Sequence, residues 1–146
     1  MWTLTQTFSN DTSFLPFLTI KMTLRNNTTT ARFANLLRMA EVSVDAPSGS
    51  PGSWFEYTGN SVLAFPFVEI VPYSYLTQGS YGFIVQAPSP SPVAHALAST
   101  PPDACNPLAG TLKPNSISGD YSIINAFGQN VPAHKSISMT VVYKTM

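Results

Sequence analysis

Four side chains carry the atoms that nucleophilic or metal chemistry would need: Cys105, His95, His134 and Asp103. A thiol, an imidazole and a carboxylate are the parts of a Cys-His-Asp site, where the imidazole takes the thiol proton and the acid orients the imidazole. Only Asp103 and Cys105 are close in sequence, and the residues around the cysteine match no catalytic signature. The same four residues are candidate zinc ligands, but there is no C-x-x-C, no H-x-x-x-H and no second cysteine. The seven carboxylates (Asp11, Glu41, Asp45, Glu56, Glu69, Asp103, Asp120) are scattered singly, so spacing sets up no acid–base pair. A fold can still appose two of them, as glycosidases do. Phosphate-cradling G-x-x-x-x-G-K and G-x-G-x-x-G loops do not occur. The expectation is a protein that is not an enzyme and holds no cofactor or metal.

Binding chemistry is better represented. Lys21, Arg25, Arg32 and Arg38, four of the seven basic residues, fall in one eighteen-residue stretch without an acid. Such a patch can meet phosphates or an acidic neighbour. A solvated face of a neutral protein explains it slightly better. A genome-binding coat would carry a dense basic arm, so nucleic acid is not expected as a main partner. Aromatic residues make up 12% of the chain, and Trp2, Trp54, Tyr57, Tyr73, Tyr75 and Tyr81 lie outside clear core positions. Tyrosine and tryptophan supply rigid contact area at interfaces. They also stack on sugar rings, with Asn60 or Gln78 as polar partners, or simply cap the end of a sandwich.

These residues are set in an unusual background. Charged residues make up 10% of the 146, far below the roughly 25% of an average soluble domain. Seven basic and seven acidic groups give a formal net charge of zero, so little long-range repulsion keeps copies apart. A surface of hydroxyls and amides is easier to desolvate than a charged one. The single cysteine excludes an internal disulfide framework. No apolar run is long enough to form a membrane span. The opening MWTLTQTFSND has no basic region, apolar run or small-residue cleavage site, which predicts synthesis in a cytosol without a signal peptide. The N-x-T triplets at Asn10, Asn26 and Asn27 are then expected to be chance sequons left unused.

The elements that must position these groups are mostly strands. Leu18, Ile20, Met22 and Leu24 alternate with Thr19, Lys21, Thr23 and Arg25. Ile137, Met139, Val141 and Tyr143 alternate with Ser138, Thr140, Val142 and Lys144 in the same way. Both patterns predict half-buried antiparallel strands. Behind the N-cap hydroxyls of Thr28 to Thr30, the i, i+3, i+4, i+7 spacing of Phe33, Leu36, Leu37 and Ala40 predicts a short helix near residues 30–40. A strand over 41–44 and a loop over 46–53 would follow it. Residues 53–57 and 61–71 read as a hairpin about Thr58-Gly59-Asn60, with Pro66 and Pro72 interrupting its second arm. Strands are also expected over 83–85 and 120–126, and a turn at Phe127-Gly128-Gln129-Asn130. Residues 87–114 hold seven prolines and predict an extended arm or loop, with one or two helical turns over 93–99.

The expectation is one all-β domain over residues 1–146, an antiparallel β-sandwich or partly open barrel of about seven short strands, with the helix and the arm appended. In overall type the chain resembles small virion proteins, which are commonly β-rich, weakly charged, cysteine-poor and long-armed. The resemblance is one of style and covers no specific residues. It implies a structural, self-associating capsid coat, decoration or tail component that ends in a virion or other extracellular assembly. Its partners would be copies of itself and other structural proteins of that assembly. A lectin- or adhesin-like module binding carbohydrate or a receptor is the alternative.

Overall fold

The computed structural model describes residues 1–11, 17–41, 53–58, 61–66, 83–89, 94–98, 105–106, 108–109, 116–119 and 121–145. Ten strands are built from them: β1 (Trp2–Asp11), β2 (Phe17–Asn26), β3 (Arg32–Glu41), β4 (Ser53–Thr58), β5 (Ser61–Pro66), β6 (Phe83–Ser89), β7 (Ala94–Ala98), β8 (Ser116–Gly119), β9 (Ser122–Val131) and β10 (Ser136–Thr145). All pairings are antiparallel. One sheet has the order β1-β2-β10-β6-β5-β4-β8 and the other β3-β9-β7. The larger sheet alone accounts for the number of strands expected, and the smaller adds three more. Their facing sides share one apolar core, which makes the fold a β-sandwich.

The two alternating segments form the strands their patterns predict. In β2 and β10 the paired residues Met22↔Met139 and Ile20↔Val141 are buried, and Leu24↔Ile137 and Leu18↔Tyr143 extend the same face. Across the gap this face meets Leu36 of β3, Leu97 of β7 and Ile123 and Val131 of β9. The hairpin near Gly59-Asn60 is present as β4 and β5, with Thr58 opposite Ser61. β5 as described runs to Pro66, which lies opposite Ser53, and residues 67–72 of the expected second arm lie outside the described residues.

Three local expectations are corrected. Residues 32–41 are a strand and not a helix, and no helix occurs among the described residues. Ala34, Leu36, Arg38 and Ala40 point toward the core, while Phe33, Asn35, Leu37 and Met39 point away. With apolar residues on both faces and an arginine in the inward row, the period of two is disguised as a helical stripe. The region 87–114 is not one continuous arm. Its start belongs to β6, and Ala94–Ala98 forms β7, which pairs with β9 of the same chain and buries Ala96 and Leu97 completely. This strand replaces the helical turns expected over 93–99. Finally, Phe127 to Asn130 continue β9, and the turn comes later, at residues 132–135, with His134 at φ 58°. Gly128 fits a strand because Asn35 and Phe33, on the neighbouring strand, lie over its Cα.

One buried side chain ties the two sheets together. Asn26, at the end of β2, is fully buried where the chain crosses from the larger sheet to β3. Its Nδ2 donates to the carbonyls of Thr30 (2.8 Å), Val131 (3.0 Å) and Pro132 (3.3 Å). Its Oδ1 accepts from the amide and the hydroxyl of Thr28, at 2.9 and 2.7 Å. Its own amide donates to Lys135 O at 2.9 Å. The β2–β3 and β9–β10 crossovers are thereby held against one another, with the side chain's donors and acceptor all used. Asn26→Ala strands the buried Val131 carbonyl and removes the donor to the part-buried carbonyls of Thr30 and Pro132, and unfolding in urea should show a loss of about 3 kcal/mol; a loss below about 1 kcal/mol would mean that water replaces the amide at no penalty.

Candidate functional site

The seven-stranded sheet is wider than the three-stranded one that faces it, and among the described residues its exposed large core-side apolar side chains lie on β1. By register Leu4 faces the same side as Leu24, and Phe8 the same side as Ile20, so both continue the core face. Yet Leu4 is 49% and Phe8 57% exposed. Residues 3 to 10 are exposed without exception. Trp2, half-buried, closes the row by packing on the core at the Asn26 end. The result is an apolar strip on an edge strand. On β3, the edge of the smaller sheet, Phe33 is 62% and Met39 37% exposed.

The opposite face of the same wing is made of hydroxyls. Thr3, Thr5, Thr7 and Ser9 of β1 share it with Thr19, Thr23, Ser136, Ser138 and Thr140 of β2 and β10. The row Thr5, Thr23, Ser138 crosses three strands, and the Thr23 and Ser138 hydroxyls hydrogen-bond at 2.8 Å. Asn27 Nδ2 donates to Thr3 Oγ1 at 2.7 Å. Lys21, Arg25 and Lys144 are the cations on this face, Lys21 and Arg25 exposed and Lys144 half-buried. β-branched residues in cross-strand rows stiffen such a wing.

The basic residues do not form one patch. Arg25 stands on the hydroxyl face at the end of β2, and Arg32 is exposed at the start of β3. Arg38 points inward between the sheets. Its Nε donates to Tyr143 Oη at 3.0 Å, and its guanidinium carbon lies 5.8 Å from the centre of that ring. An arginine at an inward position is tolerated because the phenol both accepts a bond and offers a π face. Of the aromatic candidates, Trp54 and Tyr57 belong to β4, with side chains outside the described set, and Tyr73, Tyr75 and Tyr81 lie outside the described residues. Cys105 and His134 are exposed, while Asp103 and the His95 side chain lie outside the described set. Among the described residues no three His, Cys, Asp or Glu side chains come together, and no helix is long and apolar enough to cross a membrane.

The β1 strip is legible in principle. Trp2, Leu4 and Phe8 alternate with Thr3, Thr5, Thr7 and Ser9, a period of two interrupted on the apolar side only by Gln6. Compared with known proteins, the chain matches no family model and resembles no curated protein in sequence. The Arg38–Tyr143 contact separates packing from function: a double-mutant cycle of Arg38→Ala and Tyr143→Phe should give a coupling of about 1 kcal/mol in stability, and a coupling near zero would place Arg38 among the free surface cations.

Proposed function

We propose that this chain is a structural, self-associating protein of the virion type, a capsid coat, decoration or tail component, acting through subunit–subunit contacts. One observation carries the reading: the larger sheet ends in a ten-residue strand whose core-side residues Leu4 and Phe8 are left open. An edge of this kind is what soluble monomers avoid, and it fits a surface that is covered in an assembly. The low charge and zero net charge support the same reading, since copies meet without repulsion and with little desolvation penalty. The glycan-binding alternative depends on Trp54, Tyr57, Tyr73 and Tyr75, and the described surface adds nothing specific to it.

The reading is tested by sedimentation velocity over a concentration series, with negative-stain microscopy of the most concentrated sample. The average mass should rise above that of one chain by about 100 μM, the range in which modest edge contacts associate. A single-chain mass throughout, with no particles, rings or filaments, would rule the proposal out.

A further inference from the structure

We propose that two copies of this chain join edge to edge through β1, antiparallel, in the register that sets Leu4 opposite Phe8 and Gln6 opposite its own counterpart. The inference deepens the assembly reading and rests on it for the assumption that copies meet at all.

The first support is the parity of the backbone. The Asn27 amide donates to Met1 O at 3.0 Å, so the odd positions of β1 turn their hydrogen-bonding groups toward β2. The even positions, Trp2, Leu4, Gln6, Phe8 and Asn10, turn theirs to the open edge. An antiparallel pair bonds residue to residue at alternate positions, so a self-pairing of β1 must match even with even. With Gln6 on the two-fold axis, Trp2 meets Asn10 and Leu4 meets Phe8, all even pairs, and the whole of residues 2–10 is used. Shifting the axis by one residue, to position 5 or 7, also matches even with even but shortens the ladder and breaks the Leu4–Phe8 pair.

The second support is chemical. Positions 2–10 carry no charge and no proline, the two devices that usually protect an edge. Self-pairing therefore puts no like charges opposite one another, and the chains themselves are neutral. The other described edges are less suited. β8 has four residues and β7 five, while β3 carries Arg32, Arg38 and Glu41. Leu4 and Phe8 of both copies come together on the core side and extend the two cores into one strip, with the hydroxyl rows joined on the other side. A nine-residue ladder is about 31 Å long. Its contact area sits near the lower limit of specific interfaces, about 1,200 Å² in total, which makes the pair concentration-dependent. The interface is isologous, so it closes as a two-fold dimer and leaves other surfaces for higher assembly.

Site-directed crosslinking tests this in the full chain carrying Cys105→Ser. In the proposed register the Cα atoms of Gln6 and its counterpart are about 5.5 Å apart, within bridging range, whereas those of Asn10 and its counterpart are roughly 27 Å apart. Under mild oxidation Gln6→Cys should yield a disulfide-linked dimer and Asn10→Cys should not. Phe8→Lys, confirmed as folded by its circular dichroism spectrum and melting temperature, should weaken association about tenfold or more by putting a charge opposite Leu4. Oligomers that form with no crosslink in the Gln6→Cys variant and that tolerate Phe8→Lys would overturn the edge pairing while leaving the assembly reading in place. Crosslinking through Asn10→Cys instead, or head-to-tail filaments, would overturn the two-fold register in favour of a different edge contact. A chain that stays monomeric at every concentration removes both.

Discussion

Asn26 is the constraint on which the rest of the sandwich depends. A β-sandwich must pass its chain from one sheet to the other, and each crossing interrupts the ladders and exposes carbonyls that water can reach only if the end stays open. Here two crossings, β2 to β3 and β9 to β10, are stacked at the same end and share one buried amide. The single side chain sets where β3 begins and β9 ends relative to β2 and β10, and so fixes which residues face the core. Leu36, Ile123 and Val131 meet Ile20, Met22 and Met139 because that end is clamped.

The clamp also explains the asymmetry of the surface. With β3 and β9 held over β2 and β10, the small sheet is seated on the inner strands of the large one, and β1 is left beyond its cover. Leu4 and Phe8 are then exposed by geometry and not by composition: they point the right way for a core that stops one strand short. A monomer would normally blunt such a strand with lysine, proline or a bulge. β1 has none of these over positions 2–10. The proposed assembly role follows from that combination of apolar strip, bare edge and missing protection.

Much of the fold is legible in the sequence wherever one face is buried and the other is solvated. β2 and β10 are of this kind, and their alternation names every inward apolar residue from Leu18 to Leu24 and from Ile137 to Tyr143. Legibility fails where a strand is apolar on both faces. β3 carries Leu36 inward and Phe33, Leu37 and Met39 outward, with Arg38 inward where an apolar residue is expected, so the spacing imitates a helix. β7 is hidden by the prolines around it, although Ala96 and Leu97 are among the most buried residues described. Asn26 is visible only as part of an N-x-T triplet. That spacing also places a threonine amide and hydroxyl within reach of the asparagine carbonyl, and buried as it is, Asn26 is a structural turn residue and not a glycan acceptor. The β1 surface escapes sequence reasoning for a different reason: alternation shows that Leu4 and Phe8 share a face, but not that the covering sheet stops short of them.

Amide hydrogen exchange along β1, followed by NMR as the protein is concentrated, tests the central claim most directly. The even amides of Leu4, Gln6 and Phe8 face the open edge, while the odd amides of Thr3, Thr5 and Thr7 face β2. The account predicts that the even amides exchange freely in dilute solution and become protected as copies associate, with the odd amides protected throughout. Even amides that exchange equally fast at every concentration, in a sample that has assembled or in one that has not, would contradict it.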